Sequence, residues 1–200
     1  MKVPIQHHPR FVEFRDELRK NPKWFTPWVG TLFRFQAVTY PTPKDILSGS
    51  GARTHGGRWN PPGIAAVYGS MTDNTALEEC KANDRYYGVE TKGPRLVVAV
   101  EVKLFQVLDL TNRELRRELD FTLAELAAED WRKLQAAGKE SFTQALGRAV
   151  FTVGGSGLLA RSAAVSRGVN GVVFPSNCAL DRLEVVDGAT LEKLGKKTKA

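Results

Sequence analysis

The chain has 200 residues, 42% of them apolar and 26% charged, with a formal net charge of +7. That length suits one domain able to bury a core without staples, and that composition excludes a disordered chain. No apolar run reaches membrane-spanning length, and the N-terminus lacks the apolar core of a signal peptide. Cys80 and Cys178 are far apart and fit no metal spacing. The expectation is a cytoplasmic protein with reduced thiols, no metal and no membrane partner. The tail "LEKLGKKTKA" supplies +3 of the +7 through four Lys and one Glu, and reads as a solvated, frayed terminus. The remaining charge is dispersed. No basic block is interleaved with aromatics, which argues against direct nucleic-acid binding and leaves an anionic ligand or an acidic partner.

In chain order, "PRFVEFRDELRK" spaces Phe11, Phe14 and Leu18 as an amphipathic helix. "TLFRFQAV" alternates as a strand. With Phe33, Phe35 and Ala37 toward the core, Leu32, Arg34 and Gln36 point to an opening or to solvent. "SGSGARTHGGRWNPPG", Ser48 to Gly63, reads as a bending loop and "IAAVYG" as a short strand. "TDNTALEECKANDRYY" reads as a helix capped by Thr72 or Asp73, with Ala76, Leu77 and Cys80 inward. "RLVVAVEV" and "FQVLDL" read as two strands, and "TLAELAAEDWRKLQAAG" as one helix ended by Gly138. "SFTQALGRAVFTV" is a further helix, and "GLLA", "NGVVF" and "LEVV" are closing strands. Strands come in runs and do not alternate with helices, which points to an α+β single domain with a mixed or antiparallel sheet core and flanking helices.

No dinucleotide or P-loop glycine pattern, HExxH or GxSxG elbow is present. The Gly-rich loop is the distinctive element. Glycine lets backbone N–H groups converge on a ligand, and the Arg58 guanidinium suits phosphate oxygens. Trp59 is placed to stack on a ring or to brace the loop. Equally, Arg58 pairs with a carboxylate and Trp59 packs. The residues alone leave both open. His55, the loop's one imidazole, reads as solvent-exposed.

"LFR", "LSGSGARTHGGRWNPPGIAAVY" and "TALEE", followed by "FTQALGRAV", "GLLARSAA", "NGVVFPSN" and "LEVV", resemble in order the RES domain family. Its members are bacterial toxins of toxin–antitoxin pairs, named for Arg, Glu and Ser residues. The resemblance runs over residues 31–188, leaving residues 1–30 as a helical extension and 189–200 as a Lys-rich tail. It implies an ADP-ribosyltransferase-like fold and NAD as substrate, with inorganic phosphate a co-substrate if the reaction is phosphorolysis. It also implies a helix-turn-helix, Xre-like antitoxin covering the active site, and allows a homo-oligomer within that complex. Carried over by position, Arg34 binds phosphate or ribose oxygens and Arg58, with Gly57, Trp59 and Asn60, forms the phosphate-binding block. Tyr68 stacks on nicotinamide. The eleven-residue step from Tyr68 selects Glu79 over Glu78 as the carboxylate that bonds a ribose hydroxyl and stabilises an oxocarbenium-like transition state. Ser162 is the family serine as a positioning hydroxyl, although Arg161 replaces the usual preceding proline and Ser176 offers the true Pro-Ser. Asn170 supports the site. The readings are an NAD phosphorylase or glycohydrolase toxin, a mono-ADP-ribosyltransferase acting on a protein, and a non-catalytic module binding nucleic acid or an acidic partner.

Overall fold

The computed structural model describes residues 5–88 and 95–197. Helix α1, Phe11–Lys20, forms because Phe14 and Leu18 recur one turn apart and both bury, and Pro22 follows its end. After it come β1 (Phe25–Ala37), α2 (Pro43–Leu47), α3 (Ser50–His55), β2 (Val67–Ser70) and α4 (Asp73–Tyr87). Then follow β3 (Arg95–Asp109), α5 (Arg113–Glu118), α6 (Leu123–Ala128), α7 (Trp131–Ala136) and α8 (Phe142–Thr152). The chain continues through β4 (Gly157–Arg161), β5 (Val169–Val173), β6 (Arg182–Val185) and α9 (Gly188–Lys197).

The strands run β1-β2-β5-β4-β3-β6, and β1 also pairs with β3. That extra pairing closes β1, β2, β5, β4 and β3 into a ring, with β6 on the flank of β3. All pairings are antiparallel except β3 with β4. The domain is therefore α+β with a mixed barrel core and flanking helices. Leu32, Val67, Val98, Val100, Val102, Leu104, Leu159 and Val173 fill the ring. Outside it, Leu158, Ala160 and Val172 meet Leu146, Ala149 and Val150 of α8, with Phe14 and Leu18 of α1 in the same cluster. Each such side chain contributes roughly 1.5–3 kcal/mol on burial. Glu140, with no exposed side-chain surface, takes Arg148 Nε at 2.5 Å and Nη2 at 2.7 Å, and its Oε2 takes the His8 N–H at 2.9 Å, tying the segment before α1 to α8.

Several local expectations change. Partners in β1 and β3 are Leu32 with Val100 and Arg34 with Val98, so Leu32 and Arg34 face the ring interior and the phenylalanines face outward. Residues 25–30 already belong to β1, and the segment read as two strands is one, β3. The helix expected to run on to Gly138 breaks into α6 and α7. Asp130 caps α7 by accepting from the Arg132 and Lys133 N–H groups, and Glu129 turns aside to accept from Phe142 N–H at 2.6 Å. Ser50–His55 is helical within the expected loop, and α2 and α5 are further short helices. The tail through Lys197 is helical, not frayed, and Leu191 packs on the inner cluster.

Helix α8 approaches the Gly-rich loop without space for a side chain. A Cβ on Gly147 would lie 1.9 Å from Trp59 O. Gly147→Ala is expected to lose about 3 kcal/mol of stability in urea unfolding despite alanine's better helix propensity. Gly51→Ala, with nothing within 4 Å, is expected to gain roughly 0.5–1 kcal/mol. Equal midpoints for the two variants would contradict this packing.

Candidate active site

The turn from Gly57 to Asn60 is held from behind. Asn60 is fully buried, and its Nδ2 donates to Ala52 O and Ile64 O, both at 2.9 Å, and to Pro61 O at 3.2 Å. Its Oδ1 accepts the Tyr68 hydroxyl at 2.7 Å, while that hydroxyl accepts the Trp59 N–H at 2.9 Å. Gln144 of α8 donates to Gly57 O at 3.0 Å and Asn60 O at 3.4 Å. The N–H groups of Gly57, Trp59 and Asn60 all have internal acceptors, whereas that of Arg58 has none among the described residues. Two assignments therefore change. Trp59, 4% exposed, and Asn60, 0% exposed, have no free surface for a ligand and brace the turn. Gly57 is buried with both backbone groups engaged, so it shapes the turn and leaves ligand contact to Arg58. A Cβ on Gly57 would meet the Tyr68 hydroxyl oxygen at 2.5 Å.

Helix α4 begins at its cap, Thr72, which accepts from Thr75 N–H, and buries Thr75 and Ala76. This rotation brings Glu79 to Ser162 and Asn170. Ser162 Oγ and Asn170 Nδ2 both donate to Glu79 Oε1 at 2.6 Å. Ser162 Oγ accepts from the N–H groups of Ala164 and Val165 at 3.1 and 3.0 Å, which aims its own hydrogen at the carboxylate. Ser70 Oγ donates to Asn170 Oδ1 at 2.7 Å and so orients that amide. Glu79 Oε2 has no hydrogen-bond partner among the described residues. Glu78 is turned about 100° away and pairs with Lys81 at 2.8 Å on the surface. Ser176 lies in the 3₁₀ turn beyond the other end of β5, away from Asn170.

The cations differ in their surroundings. Arg58 donates to Leu126 O at 3.1 Å and makes no ion pair among the described residues. Burial lowers its pKa, and the charge of Glu79 acts in the opposite direction. Burial likewise raises the pKa of the Tyr68 hydroxyl, which holds its proton for Asn60. Arg34 is at the same end of the ring, one residue from Phe33, which pairs with Ser70, which pairs with Asn170. Its side chain, however, takes the inner face and donates to Ile46 O at 2.9 Å and Gln36 Oε1 at 3.0 Å. Its Nε is buried without a partner, and burial lowers its pKa to about 10. The structure thus gathers Glu79, Ser162 and Asn170, adds Arg58 and the Tyr68 ring nearby, and holds Arg34 on the other face of the barrel wall. Sequence reading missed Ser70 and Gln144, whose roles depend on strand register and helix docking. Among the described residues, no group of three or more His, Cys, Asp or Glu side chains forms a metal-holding cluster.

Asn60→Ala would strip partners from the Tyr68 hydroxyl and from the carbonyls of Ala52 and Ile64. The expected loss is about 3 kcal/mol in urea unfolding, with near-ultraviolet circular dichroism reporting the Trp59 environment. Unchanged stability would show that the turn holds without this amide.

The chain matches the RES domain family over residues 31–192. Among curated proteins it is similar to the NAD(+) phosphorylase MbcT of Mycobacterium tuberculosis and of Mycobacterium bovis, 29% identical over 140 residues, 66% of this chain and 72% of the relative. Among solved structures it is similar to a chain in the crystal structure of the Mycobacterium tuberculosis MbcT–MbcA toxin–antitoxin complex. The TM-score is 0.63 at 22% identity, covering 94% of this chain and 98% of that chain, which shows a shared fold. The family match takes in every residue of the brace and of the Glu79 cluster: the chain belongs to the RES domain family.

Proposed function

We propose that this chain is the toxin of a bacterial toxin–antitoxin pair and cleaves NAD at the nicotinamide–ribose bond by phosphorolysis. The observation that carries this reading is Glu79, gripped through one oxygen and without a partner at the other, beside an arginine with no ion pair among the described residues. The C–N glycosidic bond breaks with its electron pair going to the pyridinium nitrogen, which leaves neutral nicotinamide. An oxygen of inorganic phosphate bonds the ribose carbon, giving ADP-ribose phosphorylated at that carbon. Glu79 Oε2 accepts a ribose hydroxyl and offsets the positive charge that develops on the ring. Ser162 and Asn170 keep the carboxylate in place so that little reorganisation is needed at the transition state. Arg58 holds a phosphoryl group, and the partly buried Tyr68 ring shields the nicotinamide side.

Two further parts of this reading rest on family membership and on the relatives. The barrel is ADP-ribosyltransferase-like, and a helix-turn-helix antitoxin covers the cleft. The MbcT relatives are named NAD(+) phosphorylases, which supports phosphate over water or a protein side chain as acceptor.

The test is incubation of purified, antitoxin-free chain with NAD, with and without inorganic phosphate, followed by product identification. Nicotinamide and phosphorylated ADP-ribose should form only with phosphate. Glu79→Gln should lower the rate about 10²–10³-fold, and Glu78→Gln should stay within about twofold, as for a surface residue off the reaction path. NAD left intact by folded wild type in both buffers, or full activity in Glu79→Gln, would overturn the reading.

A further inference from the structure

We propose that Arg132 of α7 joins Arg58 in holding a phosphoryl group beside Glu79, a role that rests on the reading of this cleft as an NAD-cleaving site. Glu79 and Asn83 are one turn apart on α4 and so share a helix face. Arg132 Nη2 donates to Asn83 Oδ1 at 2.8 Å, which sets the guanidinium about one turn along the helix from the carboxylate. The guanidinium carbon lies 4.5 Å from the ring centres of both Tyr86 and Trp131 and 5.6 Å from that of Tyr87. These rings fix its plane and leave its edge to donate.

That edge is not satisfied internally. Arg132 Nε is buried without a hydrogen-bond partner, and no ion pair is made by Arg132 or Arg58 among the described residues. A buried donor without an acceptor is costly, and a clamp that served only to dock α7 on α4 would not need one. The two guanidinium groups are close enough that the charge of Arg132 acts on Arg58. The neighbouring carboxylates Glu79 and Asp130 act on Arg58 through their charge, but among the described residues neither forms an ion pair with either arginine. Asp130 is occupied by the Arg132 and Lys133 N–H groups and the Tyr86 hydroxyl, and Glu79 Oε1 by Ser162 and Asn170. Two arginines held close together, neither ion-paired among the described residues, suit a doubly charged phosphoryl group. That group comes either from the pyrophosphate of the dinucleotide or from free inorganic phosphate.

The test is calorimetric titration of ADP-ribose and, separately, of inorganic phosphate into the full chain as wild type, Arg132→Gln, Arg132→Lys and Glu78→Gln. Arg132→Gln should weaken one ligand about tenfold to a hundredfold, as expected for losing a charged hydrogen-bonding partner. Loss confined to ADP-ribose identifies the pyrophosphate, and loss confined to phosphate identifies the co-substrate. Arg132→Lys should recover part of the affinity. Glu78→Gln, which loses only the surface pair with Lys81, should bind as wild type. The proposal is overturned if Arg132→Gln binds both ligands like wild type, if wild type binds neither, or if Glu78→Gln and Arg132→Lys are as weak as Arg132→Gln. Should wild type fail to release nicotinamide while Arg132→Gln still loses affinity, the anion site stands and the NAD-cleavage reading falls.

Discussion

One side-chain amide, that of Asn60, joins three segments that carry the site. It donates to Ala52 O within α3 and to Ile64 O beyond the turn, and it accepts the hydroxyl of Tyr68 on β2. With all of this inside the protein, each bond is costly to lose and the geometry has one satisfied arrangement. The Tyr68 hydroxyl then fixes the Trp59 N–H, and α8 closes the back through Gln144 and the side-chain-free Gly147. Arg58 is the residue of this turn whose backbone N–H has no partner among the described residues. The glycines and prolines of the loop serve a rigid turn, built around a donor and not from a cradle of N–H groups.

Buried charge is handled in two ways in this fold. The buried carboxylate of Glu140 is matched by Arg148 and a backbone N–H, as a structural ion must be. Arg34, Arg58 and Arg132 depart from that pattern. Each is wholly or partly buried, each donates to neutral oxygens, and none has a carboxylate partner among the described residues. Burial lowers the pKa of Arg34 and of Arg58, and at Arg58 the charge of Glu79 offsets part of that effect. A protein keeps such groups at a cost to stability.

Much of the fold was legible because it follows from local pattern. The spacing of Phe14 and Leu18 gives α1, and the cap at Thr72 opens α4. The step from Tyr68 to Glu79 singles out the glutamate that meets Ser162 and Asn170, a match that came from family resemblance and that adjacent helical residues alone could not decide. The rest depends on contacts between elements. Alternation in β1 gave the right strand and the wrong inner face, because ring closure through β3, not phenylalanine content, decides which side is enclosed. The break between α6 and α7 comes from Asp130 and Glu129 binding backbone N–H groups that periodicity cannot see. Ser70 and Arg132 carry no motif. One is found through the pairing of β2 with β5, and the other through the docking of α7 on α4.

The most direct measurement is a crystal structure of the Glu79→Gln chain with NAD bound. The account predicts a ribose hydroxyl within hydrogen-bonding distance of the amide that replaces the Glu79 carboxylate, on the side away from Ser162 and Asn170. The glycosidic carbon should lie beside it, with phosphoryl oxygens on the Arg58 guanidinium. NAD bound elsewhere, or seated with its ribose away from position 79, would contradict the role assigned to Glu79 and with it the central claim.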